Sequence, residues 1–344
     1  LHVGLIAMII YGFLVYTCQI TKEKAESFVM FSLPVYAILA GGAPSVWRAC
    51  LMMMGAFLFK KLKIQVTSFD MLLMLFLLFI IMNPFIVYHI GFQFSFAVTF
   101  GIIISQRWFF HHNRSFIGLK LSFIAQMIIL PLQFIYFHTF NPLSIILNFI
   151  IVPYFTMFVI PYLLIGLFLL PFPHFVLNLY DFVFMFIHKT FISMIESIDK
   201  VVEPTFLIGD FPLFFVFLFY GSLLWMMICL EKRKWRRAFT FGTLISIVLI
   251  VLCLRPYFSS VGTITMLDIG QGDAFVIELP YRRGVFMIDV GATYSFDDFT
   301  ASDRNYAHII KPYLQSRGIQ TIDAIFITHQ DIDHAGSFPY IVND

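Results

Sequence analysis

Apolar runs separated by short polar breaks occupy the first 255 residues of the chain. The runs recur roughly every twenty to thirty residues, and charged residues, proline or glycine stand between them. A helix needs about 20 apolar residues to cross a bilayer, so this pattern predicts a membrane protein with many spans. The predicted spans lie at 1–20, 28–42, 44–59, 69–82, 85–105, 117–138, 142–166, 174–198, 211–230 and 238–254.

After Arg255 the apolar runs give way to short alternating segments, turns and frequent aspartate. Alternation of apolar and polar residues is typical of strands with one buried face. The predicted elements are strands at Thr263–Leu267, Ala274–Leu279, Val285–Ile288 and Ala324–Thr328, and a helix at Tyr306–Ser316. We therefore expect a polytopic α-helical membrane domain over 1–255 and a soluble α/β domain over 256–344.

Composition and charge divide at the same point. Hydrophobic residues make up 60% of the chain and charged residues 12%, which exceeds what a water-soluble core needs. The first 255 residues carry 17 Lys and Arg against 9 Asp and Glu, whereas the remainder carries 5 against 11. Positive membrane loops explain the basic excess without nucleic acid, and bound divalent cations would offset the acidic charge of the soluble domain.

Basic clusters fix the orientation of the predicted spans. Alternating the side at each span places 22–24, 60–63, 107–120 and 232–237 on one face of the membrane. The positive-inside rule makes that face the cytoplasm. The last span then delivers the soluble domain to the outer face of the membrane.

One six-residue loop, His329-Gln330-Asp331-Ile332-Asp333-His334, holds four candidate metal ligands directly after a predicted buried strand. His329 and Asp331 are spaced to hold one ion, and Asp333 and His334 to hold a neighbouring one, as two-metal hydrolysis requires. A lone His or Asp in a loop is usually only solvated, but four in six residues after a strand predict a metal site. Further carboxylates at strand and turn ends are Asp268, Asp273 and Asp289.

Polar residues at membrane depth are candidates for a substrate path because burying them in lipid is costly. Arg48 lies one turn inside a span near the outer face, where it is either a cation that snorkels to the interface or part of a site for an anionic substrate. Gln93 and Asn148 place amides within spans. Each amide lines a polar path or forms an interhelical hydrogen bond.

The motif pair Asp289-Val290-Gly291 and Thr328-His329-Gln330-Asp331-Ile332-Asp333-His334-Ala335-Gly336 resembles the opening half of a metallo-β-lactamase-fold hydrolase. The chain also resembles the ComEC family of competence proteins along its whole length. The segments that carry this second resemblance are Leu1–Leu5, Pro44–Ala49, Gly91–Phe96, Asn141–Ser144 with Asn148 and Pro153, and Asp268–Asp273.

The resemblance implies an αββα hydrolase fold, truncated here, after a membrane domain that conducts single-stranded DNA. Its ligands would be His329, Asp331, Asp333 and His334, with Asp333 also the base toward the attacking water. Asp289, Asp268 and Asp273 would support them. Asp331 stands where the family motif usually has His, and a carboxylate shifts the expected pair of ions from zinc toward manganese or magnesium.

The family fold supplies later ligands that this chain ends without, so we expect an internal piece of a longer protein that is inactive alone. The resemblance implies the bacterial cytoplasmic membrane as location. It implies single-stranded DNA, membrane lipid and other DNA-uptake proteins as partners, with a pore made by one chain or a homo-oligomer. Two alternatives remain at this stage: a membrane-anchored hydrolase of a non-nucleic ester, and a solute transporter with an accessory domain.

Overall fold

The computed structural model describes residues 2–111, 117–201, 206–293 and 301–343. The chain forms two compact units, one made of residues 1–129 and 143–203 and the other of 130–142 and 204–344. The predicted domain boundary at 255 stays a prediction, and the units are described separately below.

The first unit is entirely helical in its described part, apart from turns. Its helices are α1 (His2–Gly12), α2 (Lys22–Leu39), α3 (Pro44–Leu62), α4 (Ser68–Met82), α5 (Ile90–His111), the first part of α6 (Ile117–Phe137), α7 (Leu143–Tyr154), α8 (Ile160–Leu169) and α9 (His174–Val201). Short π-helical turns extend α1 through Phe13–Thr17 and join α7 to α8 through Phe155–Val159.

Apolar packing holds α1 to α5 together. Val3, Val29 and Cys50 belong to one buried cluster that joins α1, α2 and α3. Phe92 and Phe96 of α5 pack on α4, with their ring centroids 4.4 Å apart. The start of α4 is fixed by a capping box, in which Thr67 and Asp70 satisfy each other's backbone N–H groups.

Five helical segments of the described chain are long and apolar enough to cross a membrane, by length and composition. They are Ile117–Phe137, Leu143–Leu169, His174–Ile198, Leu213–Glu231 and Trp235–Phe258. Three shorter apolar helices lie at His2–Thr17, Ser68–Met82 and Ile90–Gln106. Helices α2 and α3, although expected as spans, fall in neither group, and charged residues stand at their ends.

The second unit combines helices with a sheet. Its elements are the end of α6, the two-residue strands β1 (Thr139–Phe140) and β2 (Phe206–Leu207), α10 (Leu213–Glu231), α11 (Trp235–Leu254), β3 (Thr263–Met266), β4 (Ala274–Glu278), β5 (Val285–Val290), α12 (Lys311–Ser316), β6 (Ala324–Phe326), α13 (Ile332–Ala335) and α14 (Phe338–Val342). Antiparallel pairing of β1 with β2 forms a short ribbon.

The sheet has the order β3-β4-β5-β6, with antiparallel pairs except for the parallel pair β5 and β6. Val276 and Met287 on its buried face pack with Ile310, which lies in the π-helical turn that leads into α12. The four strands and the helix therefore confirm the α/β pattern expected from the sequence. Because β5 and β6 are parallel, their carboxyl ends meet at one edge of the sheet.

A buried ionic cluster ties the turn after β4 to the end of α12. Glu278, which is 6% exposed, accepts a hydrogen bond from Arg317 Nε at 2.7 Å and lies 3.4 Å from Arg282 Nη2. Arg282 Nη2 also donates to the Arg317 carbonyl at 2.6 Å. Gly209, just after β2, approaches the Ser316 and Gly318 backbone so closely that a Cβ would lie 2.8 Å from the Ser316 carbonyl oxygen.

Candidate metal centre

The candidate centre lies at the edge of the sheet where β5 and β6 end. Met287 of β5 pairs with Ile325 of β6, so Asp289 and the loop after Phe326 reach the same edge. The loop then enters α13, whose first residues continue the ligand motif. Parallel pairing thus brings together residues that are forty positions apart in sequence.

Asp289 is the buried anchor of this centre. Its carboxylate accepts hydrogen bonds from the Thr328 N–H at 2.8 Å, the Thr328 hydroxyl at 2.7 Å and His334 Nδ1 at 2.9 Å. An ionised carboxylate only accepts hydrogen bonds, so His334 Nδ1 carries the proton and Nε2 is left to face a ligand. A carboxylate that orients a histidine in this way is the usual support for a metal-binding imidazole.

The pKa shifts of Asp289 and His334 follow from these contacts. Burial alone would raise the pKa of Asp289, but the hydrogen bonds from Thr328 and His334 outweigh it and hold that pKa below its ordinary value. The hydrogen bond to Asp289 raises the pKa of His334, and the negative charges of Asp289, Asp333 and Asp273 act in the same direction.

Three of the four predicted ligands form a group. Ligand atoms of His329, Asp333 and His334 all lie within 4.8 Å of one another, and the two imidazole centroids are 3.8 Å apart. Asp331 lies beside the group, with its Oδ2 3.5 Å from His329 Nε2, and its side chain is 74% exposed. Imidazole and carboxylate donors on an open face suit a divalent transition metal.

A second group within 4.8 Å joins Asp273, Asp289 and His334. The Asp289 carboxylate in this group already accepts three hydrogen bonds from protein groups. Asp273 donates its backbone N–H to the Asp333 carbonyl at 3.2 Å, which places the Asp268–Asp273 turn against the ligand loop. Asp268 is exposed in that turn and belongs to neither group found among the described residues.

Glycines let two backbone segments, the Asp268–Asp273 turn and the end of β5, approach the ligand loop. A Cβ on either Gly272 or Gly291 would overlap the Asp333 carbonyl oxygen, and Gly272 also has a φ of +99°. A Cβ on Gly336 would lie 2.7 Å from the Ala292 Cβ. These positions explain why the two aspartate motifs contain glycine.

Sequence reasoning missed three polar residues that the structure places around the centre. Thr328 bonds to Asp289 through both its N–H and its hydroxyl. Asn305 and Ser337 are buried and donate to backbone carbonyls near the two motifs. Thr328 could have been found from its place beside the motif, but nothing in the sequence around Asn305 signals its role.

The three membrane candidates have different surroundings. Arg48 Nε donates to Ser95 Oγ at 2.6 Å, which joins two of the segments that carry the family resemblance. Gln93 Nε2 donates to the Val87 carbonyl at 2.7 Å, close to the start of its own helix. Asn148 lies partly buried on α7.

Comparison with known proteins gives two family matches. Residues 1–233 match the model described as Competence protein, and residues 267–344 match that of the Metallo-beta-lactamase superfamily. ComE operon protein 3 of Bacillus subtilis (strain 168) is 31% identical over 347 residues, covering 98% of this chain and 44% of that protein. The chain thus spans less than half the length of this relative. No solved structure matches the chain.

Proposed function

The chain belongs to the competence protein family, and from this premise we propose that it is part of a bacterial channel that takes up single-stranded DNA. The C-terminal sheet would be an outward-facing, metal-dependent hydrolase that cleaves nucleic acid phosphodiesters. One observation carries the proposal: the competence match and a clustered set of metal ligands occur in a single chain.

In this proposal His329, Asp331, Asp333 and His334 hold one or two divalent ions. A bound divalent ion would supply Lewis acidity that activates water and offsets the charge of the phosphate. Asp333 ligates and accepts a proton from the attacking water, while Asp289 keeps His334 in the right tautomer. The carboxylate of Asp331 favours manganese or magnesium over zinc, and zinc remains an outcome of the metal analysis.

The nuclease proposal is tested with purified full-length protein and Mn²⁺, Mg²⁺ or Zn²⁺ on labelled single- and double-stranded DNA. Cleavage should require metal and fall at least about 10²-fold in Asp333→Ala, the low end of what general base catalysis contributes. Asp303→Ala, which removes an exposed carboxylate elsewhere in the same sheet unit, is the matched control. Metal-independent or Asp333-independent cleavage would contradict the assignment.

For the channel, we propose that Arg48 contacts the phosphate backbone of the transported strand. In the described part of the chain, Arg48 donates hydrogen bonds to Ser95 Oγ and Met52 Sδ, neither of which carries a charge. No ion pair in the described part of the chain involves Arg48. Its positive charge is therefore available to an anion, and a guanidinium is well matched to phosphate. Gln93 and Asn148 are proposed as further polar residues of the path.

Uptake of fluorescent DNA by cells that express each variant tests the Arg48 contact. Arg48→Gln should lower the rate about 10- to 100-fold, because a hydrogen bond to a charged group contributes about 1.5–3 kcal/mol. Lys60→Gln removes an exposed cation from the same helix and should leave uptake unchanged. Wild-type rates in Arg48→Gln would exclude the contact, whereas normal uptake without the protein would exclude the channel itself.

We further propose the cytoplasmic membrane as location, because the basic loops predict one inner face. Membrane lipid surrounds the helices, and other DNA-uptake proteins deliver the strand. The pore is formed by one chain or by a homo-oligomer, which cross-linking in the native membrane would distinguish.

A further inference from the structure

We propose that Asn305 is a positioning residue of the metal centre, which holds the Asp268–Asp273 turn against the end of β5. The proposal rests on the proposed metal site. The side-chain hydrogen bonds of Asn305 in the described part of the chain go to backbone carbonyls and not to the candidate ligands, so its effect would pass through the backbone that carries them.

Asn305 is 3% exposed and lies at the start of the π-helical turn that precedes α12. Its Nδ2 donates to the Ile269 carbonyl at 3.1 Å and to the Gly291 carbonyl at 3.4 Å. Both partners are acceptors, so the amide must present its NH₂ group to them. One side chain thereby links the turn that carries Asp273 to the strand end that carries Asp289.

Backbone hydrogen bonds continue this link to the ligand loop. Gly291 N–H donates to the Asp273 carbonyl at 3.2 Å, and Asp273 N–H donates to the Asp333 carbonyl at 3.2 Å. Ala292 N–H donates to the Ile332 carbonyl at 2.9 Å. Displacing Gly291 or Ile269 would therefore shift Asp273 and Asp333 together.

Ser337 supports the same point from the other side. It is completely buried, its hydroxyl donates to the Gly291 carbonyl at 2.9 Å and its N–H donates to the Val290 carbonyl at 2.8 Å. The Gly291 carbonyl thus receives two side-chain donors. Two hydrogen bonds to one buried carbonyl hold its orientation more tightly than one hydrogen bond would.

The test compares Asn305→Leu, which keeps the branching at Cγ and removes the donor, with Thr265→Val. Thr265 of β3 accepts a hydrogen bond from the hydroxyl of Tyr313 in α12 at 2.7 Å. Because Thr265 lies outside both metal groups, this substitution is a matched control. Mn²⁺ affinity by titration calorimetry and the Mn²⁺ electron paramagnetic resonance spectrum are measured on full-length protein, with the unfolding temperature as the stability readout.

We expect Asn305→Leu to weaken Mn²⁺ binding about 10- to 100-fold and to broaden the spectrum, the size of effect seen for supporting residues of metal sites. Thr265→Val should lower stability without changing affinity. Ser337→Ala is a smaller change and should also weaken Mn²⁺ binding. It replaces Asn305→Leu in the test if that variant does not fold.

Equal affinity in wild type and Asn305→Leu would overturn this inference and leave the metal centre intact. If Asn305→Leu does not fold, unchanged affinity in Ser337→Ala would do the same. Absence of Mn²⁺, Mg²⁺ and Zn²⁺ binding in the wild type would overturn both proposals. Equal losses in Asn305→Leu and Thr265→Val would show that general destabilisation, rather than positioning, explains the effect.

Discussion

At the scale of single residues, Asp289 combines backbone strain with a demanding set of contacts. Its φ is +54°, a left-handed conformation that costs a non-glycine residue about 1–3 kcal/mol. Aspartate and asparagine tolerate this region better than most residues. The three hydrogen bonds to its carboxylate offset the cost, and they do so only in the geometry that orients His334.

Asp289→Asn is expected to weaken metal binding about 10- to 100-fold, because asparagine keeps the backbone conformation but loses the charge that orients His334. Titration of Mn²⁺ into the wild type and the variant measures this effect. An unchanged dissociation constant would show that His334 needs no carboxylate to bind.

The same pair predicts a two-sided dependence of stability on pH in the metal-free protein. Because the pKa of Asp289 is lowered, its carboxylate contributes fully to the stability of the folded state above about pH 3.9. This contribution is lost as the pH falls through the folded pKa. Because the pKa of His334 is raised, its imidazolium contributes fully to the stability of the folded state below about pH 6.5. This contribution is lost as the pH rises through the folded pKa. Between pH 3 and 9, the unfolding temperature of Asp289→Asn should therefore depend less on pH than that of the wild type, at both the acid and the alkaline end.

The ligand types at this scale could be predicted from the motif, since four donors in six residues are a local signal. Asn305 and Ser337 could not, because their partners are carbonyls of residues 36 and 46 positions away. Only the fold brings such partners together, and a backbone acceptor leaves no mark in the sequence.

At the scale of elements, the turn between β3 and β4 shows how conformation and close packing combine. Gly270 and Gly272 both have positive φ, but a Cβ on Gly270 meets nothing within 4 Å, whereas one on Gly272 overlaps the Asp333 carbonyl. The strands around the turn follow their predicted bounds within two residues. Alternation signalled them, whereas β1 and β2 were missed because two residues are too short to show a period.

Gly272→Ala and Gly270→Ala form a matched pair of substitutions. Each should lose about 1–3 kcal/mol of stability from the unfavourable φ. Gly272→Ala alone should also displace Asp333 and weaken Mn²⁺ binding. Chemical unfolding and calorimetry on both variants test this difference, and equal Mn²⁺ affinity would show that the turn does not set the position of Asp333.

At the scale of the whole molecule, the division into membrane helices and a sheet domain was predictable, since it is a change in composition. The grouping of α10 and α11 with the sheet in one compact unit was not. Long apolar helices look alike in sequence whether they contact one another, lipid or a sheet. Their partners therefore cannot be read from hydropathy.

The proposed orientation predicts opposite labelling of two exposed positions in intact cells. In a protein whose native cysteines are replaced, Arg283→Cys in the sheet domain should react with an impermeant maleimide. Lys232→Cys, in a basic loop, should react only after the membrane is permeabilised. The reverse pattern would place the sheet domain in the cytoplasm and contradict the proposed orientation.

Close packing of Gly209 against the end of α12 gives the helix and the sheet beneath it a second attachment, besides the connector that leaves α11. One attachment would fix only the reach of the sheet, but two also fix its direction relative to the last two helices. If the connector after α11 changed in length, the sheet could not rotate to compensate. The strain would then fall on residues 208–210 and 316–318. Homologues with longer connectors should carry compensating changes at these distant positions.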